Sequence, residues 1–140
     1  MATITTFIDG TQEHLDLAGR AIGAVNTLDF AVTNTATADV VQAIKIPANA
    51  FVTRISTIVR TAEGGALTAT VGDGTTADGW DATAVNFNAT AGTVLRSLEA
   101  TDTYGIGKLY TTADTIDFTM TGAADAAKIT IVAEYTIVDR

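Results

Sequence analysis

Apolar and polar residues alternate with a period of two along much of this chain, and that period belongs to β-strands. In residues 115–121, TIDFTMT, Ile116, Phe118 and Met120 fall on one face, and Thr115, Asp117 and Thr119 on the other. In 128–138, KITIVAEYTIV, the apolar face is Ile129, Ile131, Ala133, Tyr135 and Ile137, opposite Lys128, Thr130, Glu134 and Thr136. In 27–33, TLDFAVT, it is Leu28, Phe30 and Val32. In 51–61, FVTRISTIVRT, Phe51, Ile55 and Val59 oppose Arg54, Ser56 and Arg60. Residues 39–46 and 67–73 read as further strands. Threonine, valine and isoleucine, which suit a pleated surface better than a helix, supply most of these runs.

Turn signals separate the runs: TNTATAD, IPANA, AEGGA, GDGTTADG, NATAGT and TGAADAA. Strand starts recur every ten to fifteen residues or so with no helix-length amphipathic segment between them. This spacing argues against βαβ units and for an all-β, antiparallel β-sandwich, jelly-roll-like. Pro47 falls in a turn before a strand, where its missing N–H is harmless. Residues 9–26 have helical spacing at Leu15, Ala18 and Ile22, but Gly19 and Gly23 weaken a helix, so an extended arm is expected there. The expected organisation is an N-terminal arm over 1–26 and one sandwich domain over 27–140.

A chain of 140 residues can enclose a core. Much of its 47% hydrophobic content is alanine and only 6% of residues are aromatic, so little apolar area is buried per residue. Association with further copies is the expected supplement.

The formal charge is −8, from 16 acidic against 8 basic residues. The basic residues are scattered, which argues against nucleic acid and against an anionic membrane surface. No apolar run reaches the length of a membrane helix, and no secretory leader is visible. The absence of cysteine excludes disulfides and thiolate chemistry.

The stretch 71–80, VGDGTTADGW, concentrates glycine and aspartate before the chain's one tryptophan. Asp73, Asp78 and Asp81 could offer oxygens to a cation, but the spacing is not that of an EF-hand and no glutamate closes the loop. A phosphate loop would need a lysine that is missing. A β-connection explains the same residues, because glycine allows positive φ and aspartate bonds its own backbone. Trp80 would then pack at the sandwich edge; if exposed, it would mark a binding surface. His14, beside Glu13 and Asp16, lacks a nucleophilic partner: the two serines, Ser56 and Ser97, lie outside any G-x-S-x-G element. The carboxylate pairs Asp114/Asp117 and Asp78/Asp81 read as turn or outward strand positions rather than a glycosidase pair. Arg54 and Arg60, with Lys45 on a neighbouring strand, form a candidate patch for an acidic partner. No catalytic residue, cofactor or metal ligand is assigned, and no enzyme activity is expected.

From IKIPANAFVTRISTIVRTAEGGALTATVGDGTTADGW through YGIGKLYTTADTIDFTMTGAADAAKITIVAEYTIV, roughly residues 44–138, the chain resembles a group of small structural proteins of tailed-phage virions. The order of segments carries the likeness: a P-A-x-A-F-V entry, a T-A-E-G-G turn, a V-G-D-G-T-x-A-D-G-W loop, a Y-T-x-A-D-T-I-D segment, and a last strand closing in E-Y. The resemblance implies a jelly-roll-like sandwich on the exterior of a virion, often a trimer. In that role it would be a head decoration, or cement, protein bound to the major capsid protein. It brings no catalytic residues. Candidate interface residues are Phe7, His14, Leu15, Arg54, Arg60 and Trp80. Other readings are a glycan-binding module on a tail or fibre, which needs Trp80, Tyr104 and Tyr110 exposed together, and a head–tail connector or tail subunit.

Overall fold

The computed structural model describes residues 1–4, 13–14, 22–96 and 102–138. Its elements are β1 (Thr3–Ile4), β2 (Glu13–His14), β3 (Ile22–Asp29), β4 (Val40–Ile46), β5 (Ala50–Thr61), β6 (Thr68–Asp73), β7 (Asp81–Asn86), β8 (Val94–Arg96), β9 (Lys108–Tyr110), β10 (Asp114–Met120) and β11 (Lys128–Ile137). No helix occurs among the described residues.

The strands form two sheets. One runs β1-β4-β10-β6-β7; the other runs β2-β3-β11-β5-β8, with β9 also on β5. The pairings nest: β3 with β11, β4 with β10, β5 with β8 and β9, β6 with β7. A nested set describes one long hairpin rolled up. All pairs are antiparallel except β1 on β4. The fold class is therefore the all-β, mostly antiparallel sandwich expected.

The inner faces meet in a core built around Phe30, Phe87 and Phe118. Phe87 packs on both others, with centroids at 5.7 and 5.3 Å. Buried alanines, including Ala24, Ala43, Ala50, Ala69 and Ala133, fill the rest. Loops are held by carboxylates: Glu63 accepts the N–H groups of Asp125, Ala126 and Ala127, and Asp39 accepts those of Ala2 and Ala36.

Two irregularities change the face that a residue occupies. β4 shifts register on β10 between Ile116 and Asp117, which leaves Ala43 as an extra residue; Ala43 and Ile44 are both buried. β5 shifts on β11 at Thr53, so Ala50 and Val52 point inward before it, and Ile55, Thr57 and Val59 after it. Phe51 therefore leaves the face shared by Ile55 and Val59, contrary to the alternation read from the sequence. Val32 is 81% exposed, because β3 ends at Asp29 and a turn follows. Lys45 lies on β4 in the sheet opposite Arg54 and Arg60, since β4 and β5 are consecutive but cross between sheets. β3 is a continuous strand from Ile22, upstream of the boundary drawn at residue 26.

Candidate functional site

The aspartate–glycine loop sits at one end of the sandwich. β6 places Ala69, Val71 and Asp73 on its inner face, so a carboxylate occupies the last position of an apolar row. After Asp73 the chain doubles back over the outer side of β6. Thr70 Oγ1 donates to the Ala77 carbonyl at 3.1 Å, and Asp73 N–H to the Thr76 carbonyl at 3.0 Å. Gly72 permits this: a Cβ there would lie 2.1 Å from the Thr76 carbonyl oxygen.

Asp73 is surrounded by donors. Its Oδ1 accepts the N–H groups of Thr75 and Thr76, each at 2.9 Å, and the Tyr104 hydroxyl at 3.4 Å. Its Oδ2 accepts the Tyr110 hydroxyl at 2.8 Å and pairs with the Lys108 ammonium. Lys108 Nζ also donates to the Tyr104 hydroxyl at 2.9 Å and stands 4.2 Å from the centre of that ring. Trp80 Nε1–H donates to the Tyr110 hydroxyl at 3.0 Å, and its indole meets Tyr104 edge-on at 5.3 Å. Gly79 lets the Tyr104 ring approach, since a Cβ would lie 2.2 Å from it. β6 belongs to one sheet and β9, which carries Lys108 and Tyr110, to the other. The cluster is thus a polar clamp between the two sheets.

Its electrostatics keep every proton in place. Burial pushes the Asp73 carboxyl up, but hydrogen bonds from Lys108, Thr76, Tyr110 and Thr75 together hold it below the usual carboxylate range. Burial also works against the Lys108 charge, yet its bonds to Asp73 and Tyr104 raise its pKa. Burial and the Asp73 charge push the Tyr110 phenol far up, despite the opposing bond from Trp80. The group therefore stays as carboxylate, ammonium and phenol throughout the neutral range, whereas general acid–base catalysis calls for a pKa near the working pH.

Across the same strands lies a second buried carboxylate. Asp117 stands opposite Gly72 on the outer face, one register position from the Ile116–Asp73 pair. It was read as an outward strand position, and it does face outward, yet it is only 4% exposed. Among the described residues its Oδ1 has no hydrogen-bond partner. Burial, outweighing the opposing Thr115 bond and helped by the charges of Asp114 and Asp73, pushes its pKa up to about 7.

The residues singled out in the sequence are dispersed. Asp73 and Asp81 are buried and Asp78 is exposed; Asp73 already accepts five hydrogen bonds. Among the described residues no three acidic or histidine side chains gather as metal ligands. Trp80 is fully buried. As a surface anchor it is therefore corrected to a packing residue within its own chain. Tyr110 is buried as well, so a groove lined by exposed Trp80, Tyr104 and Tyr110 does not form. Arg54 and Arg60 face outward on β5. His14 pairs through its backbone with Ala24. Phe7 and Leu15 lie outside the described residues. Lys108 and the two clamp tyrosines are separated from Asp73 by 31 to 37 residues, and no local motif connects them to it.

No family model matches this sequence, and no curated protein resembles it. Solved structures do resemble it. Over 99% of both chains it superposes on a chain from the capsid of Ralstonia phage GP4, at a TM-score of 0.63 and 19% identity. A chain of the cyanophage Pam1 capsid asymmetric unit gives 0.64 at 15% identity, covering 86% of this chain and 87% of that one. A chain from the acidic stable capsid of Helicobacter pylori bacteriophage KHP30 gives 0.60 at 13% identity, covering 89% and 92%. At these identities the likeness establishes a shared fold.

Proposed function

We propose that this chain is a structural protein of a tailed-phage virion: a decoration protein that binds the outside of the major capsid lattice and braces it. The observation that carries this reading is the end-to-end match, 99% of each chain, with a chain of the Ralstonia phage GP4 capsid.

Charge supports the exterior. Packaged nucleic acid presents a dense array of phosphates, and a chain of net charge −8 gains nothing by facing it. The clamp supports a passive role. Its groups are locked in their charged or neutral forms and satisfy one another, which suits a rigid body and offers no proton to a substrate. The glycan-binding alternative loses its basis with the burial of Trp80 and Tyr110.

The test is to mix purified protein with empty heads assembled from the shell-forming protein of the same virus. Saturable co-sedimentation at low micromolar protein, with heads that withstand more heating, is the expected result. Heads that bind none of it would sink this reading.

A further inference from the structure

Asp117 lies on the outer face of β10, across from Gln42 on β4 and Gly72 on β6. Gly72 has no side chain, and the 74–79 loop takes that space. A Cβ on Gly72 would lie 2.1 Å from the Thr76 carbonyl oxygen and 2.5 Å from that of Ala77. Directly opposed residues hold their Cβ positions about 5 Å apart. The Thr76–Ala77 peptide is therefore the cross-strand neighbour of Asp117, and it closes over a residue that would otherwise meet water. This neighbour offers acceptors rather than donors. Its carbonyl oxygens are also engaged already: that of Thr76 accepts the N–H groups of Asp73 and Gly79, and that of Ala77 the Thr70 hydroxyl.

The charges near Asp117 come from four places. Asp114 is on its own strand, and Asp73 is on the inner face of β6, paired with Lys108. Asp78 is exposed in the loop, and Lys45 on β4 is exposed across from Thr115. Gln42, directly opposite on β4, is neutral. A buried carboxylate with an unfilled oxygen is costly once ionised. Water can relieve that cost only from the outer side, where the loop lies. The loop is tied down by the Thr70–Ala77 and Asp73–Thr76 bonds and by the Thr75 and Thr76 N–H groups on Asp73 Oδ1.

We propose that Asp117 is a pH-sensitive latch for the 74–79 loop. When protonated it tolerates the closed loop; when ionised it favours a state in which residues 76–77 lift off Gly72 and water reaches Oδ1. Lifting also withdraws the Thr75 and Thr76 N–H groups from Asp73, so the latch loosens one side of the inter-sheet clamp. The latch belongs to the chain alone, whatever the protein binds. With the loop closed, Asp117 holds its proton up to about pH 7; exposed, it would release it above about 3.8. Between these values opening releases a proton, so the open population rises by up to about tenfold per pH unit and levels off above about 7. Asp73, whose pKa is depressed, is ionised through this window and adds no slope.

The experiment is amide hydrogen exchange of the full chain, read by NMR from about pH 4.5 to about pH 8 and corrected for the intrinsic pH dependence of exchange. Protection of the Thr75, Thr76 and Gly79 amides should fall about a hundredfold between pH 4.5 and 7 and then stay level. These amides should remain less protected than those of β11, which lies between β3 and β5, because the opening is local. Asp117→Asn, which keeps the shape and removes the charge, should abolish the slope. Loop protection without a pH slope overturns the latch, and so does a slope that survives in Asp117→Asn. Loop amides that exchange at the rate of β11 report global unfolding, and they overturn it too. The carbon-13 shift of the Asp117 carboxyl in the parent decides the matter even if the variant does not fold: a midpoint near pH 7 is expected, and one below about 5 overturns the latch.

Discussion

Asp73 and Asp117 are both aspartates on adjacent strands, both are at most 4% exposed, and they point to opposite sides of one sheet. Asp73 accepts hydrogen bonds on both oxygens, and its pKa is lowered. Asp117 keeps one oxygen without a partner among the described residues, and its pKa is raised to about 7. Burial disfavours the charge at both sites. The difference is the supply of donors: at Asp73 the loop brings two backbone N–H groups and β9 brings a lysine and a tyrosine, while the outer face of β10 brings none to Asp117 Oδ1. A buried carboxylate is therefore a stabilising joint or a cost according to what the fold delivers to it.

Replacing Asp73 with alanine breaks the comparison most severely. It leaves the Lys108 ammonium without its counter-ion beside two phenols, and chemical denaturation should show a loss of about 3–5 kcal/mol. Gly72 is the hinge shared by both sites. Gly72→Ala would drive its Cβ into the Thr76 and Ala77 backbone, at an expected cost of about 3 kcal/mol, with increased proteolysis in the loop at 74–79. Trp80→Phe keeps an aromatic ring but removes the N–H that holds the Tyr110 hydroxyl; a loss of about 2 kcal/mol is expected in the same assay.

Asp117→Asn sharpens the contrast, with the smallest effect and the opposite sign. The folded pKa of Asp117 lies above the unfolded value near 3.8. Its protonated form is thus favoured by folding, and that contribution is complete below pH about 3.8 and lost as pH rises through about 7. The asparagine variant should be more stable than the parent by about 1–2 kcal/mol above pH 8, and no more stable below pH 4. Asp73 has the reverse linkage: its folded pKa is depressed, so its contribution is present above the unfolded value and lost as pH falls through the folded one. Above about pH 8, therefore, Asp73→Asn should melt below the parent and Asp117→Asn above it, and both differences should shrink as pH falls to about 4 and lower. Parallel profiles would show that donor supply does not separate the two sites.

The sheets were largely legible, and the clamp only in part. Alternation placed Ile116, Phe118, Met120, Ile129, Ile131, Ala133 and Tyr135 on inner faces, because a strand with one dry side imposes period two on its own residues. The same rule misplaced Phe51 and Val32, since neither a bulge nor the end of a strand alters the local pattern. The VGDGTTADGW stretch stood out through its glycines and aspartates. Nothing in it names Lys108 or Tyr110, however, and Asp117 reads like any outward polar residue between two threonines.

The order of amino acids set the longer strands, the acidity and most of the places where the chain must turn, because each follows from a residue and its near neighbours. The nested pairing of strands decided the rest. It brought β9 across to Asp73, turned the 74–79 loop back over Gly72, and left Asp117 buried with a missing donor. Solvation and charge pairing depend on groups that meet in space, and here the meeting groups lie some thirty residues or more apart along the chain.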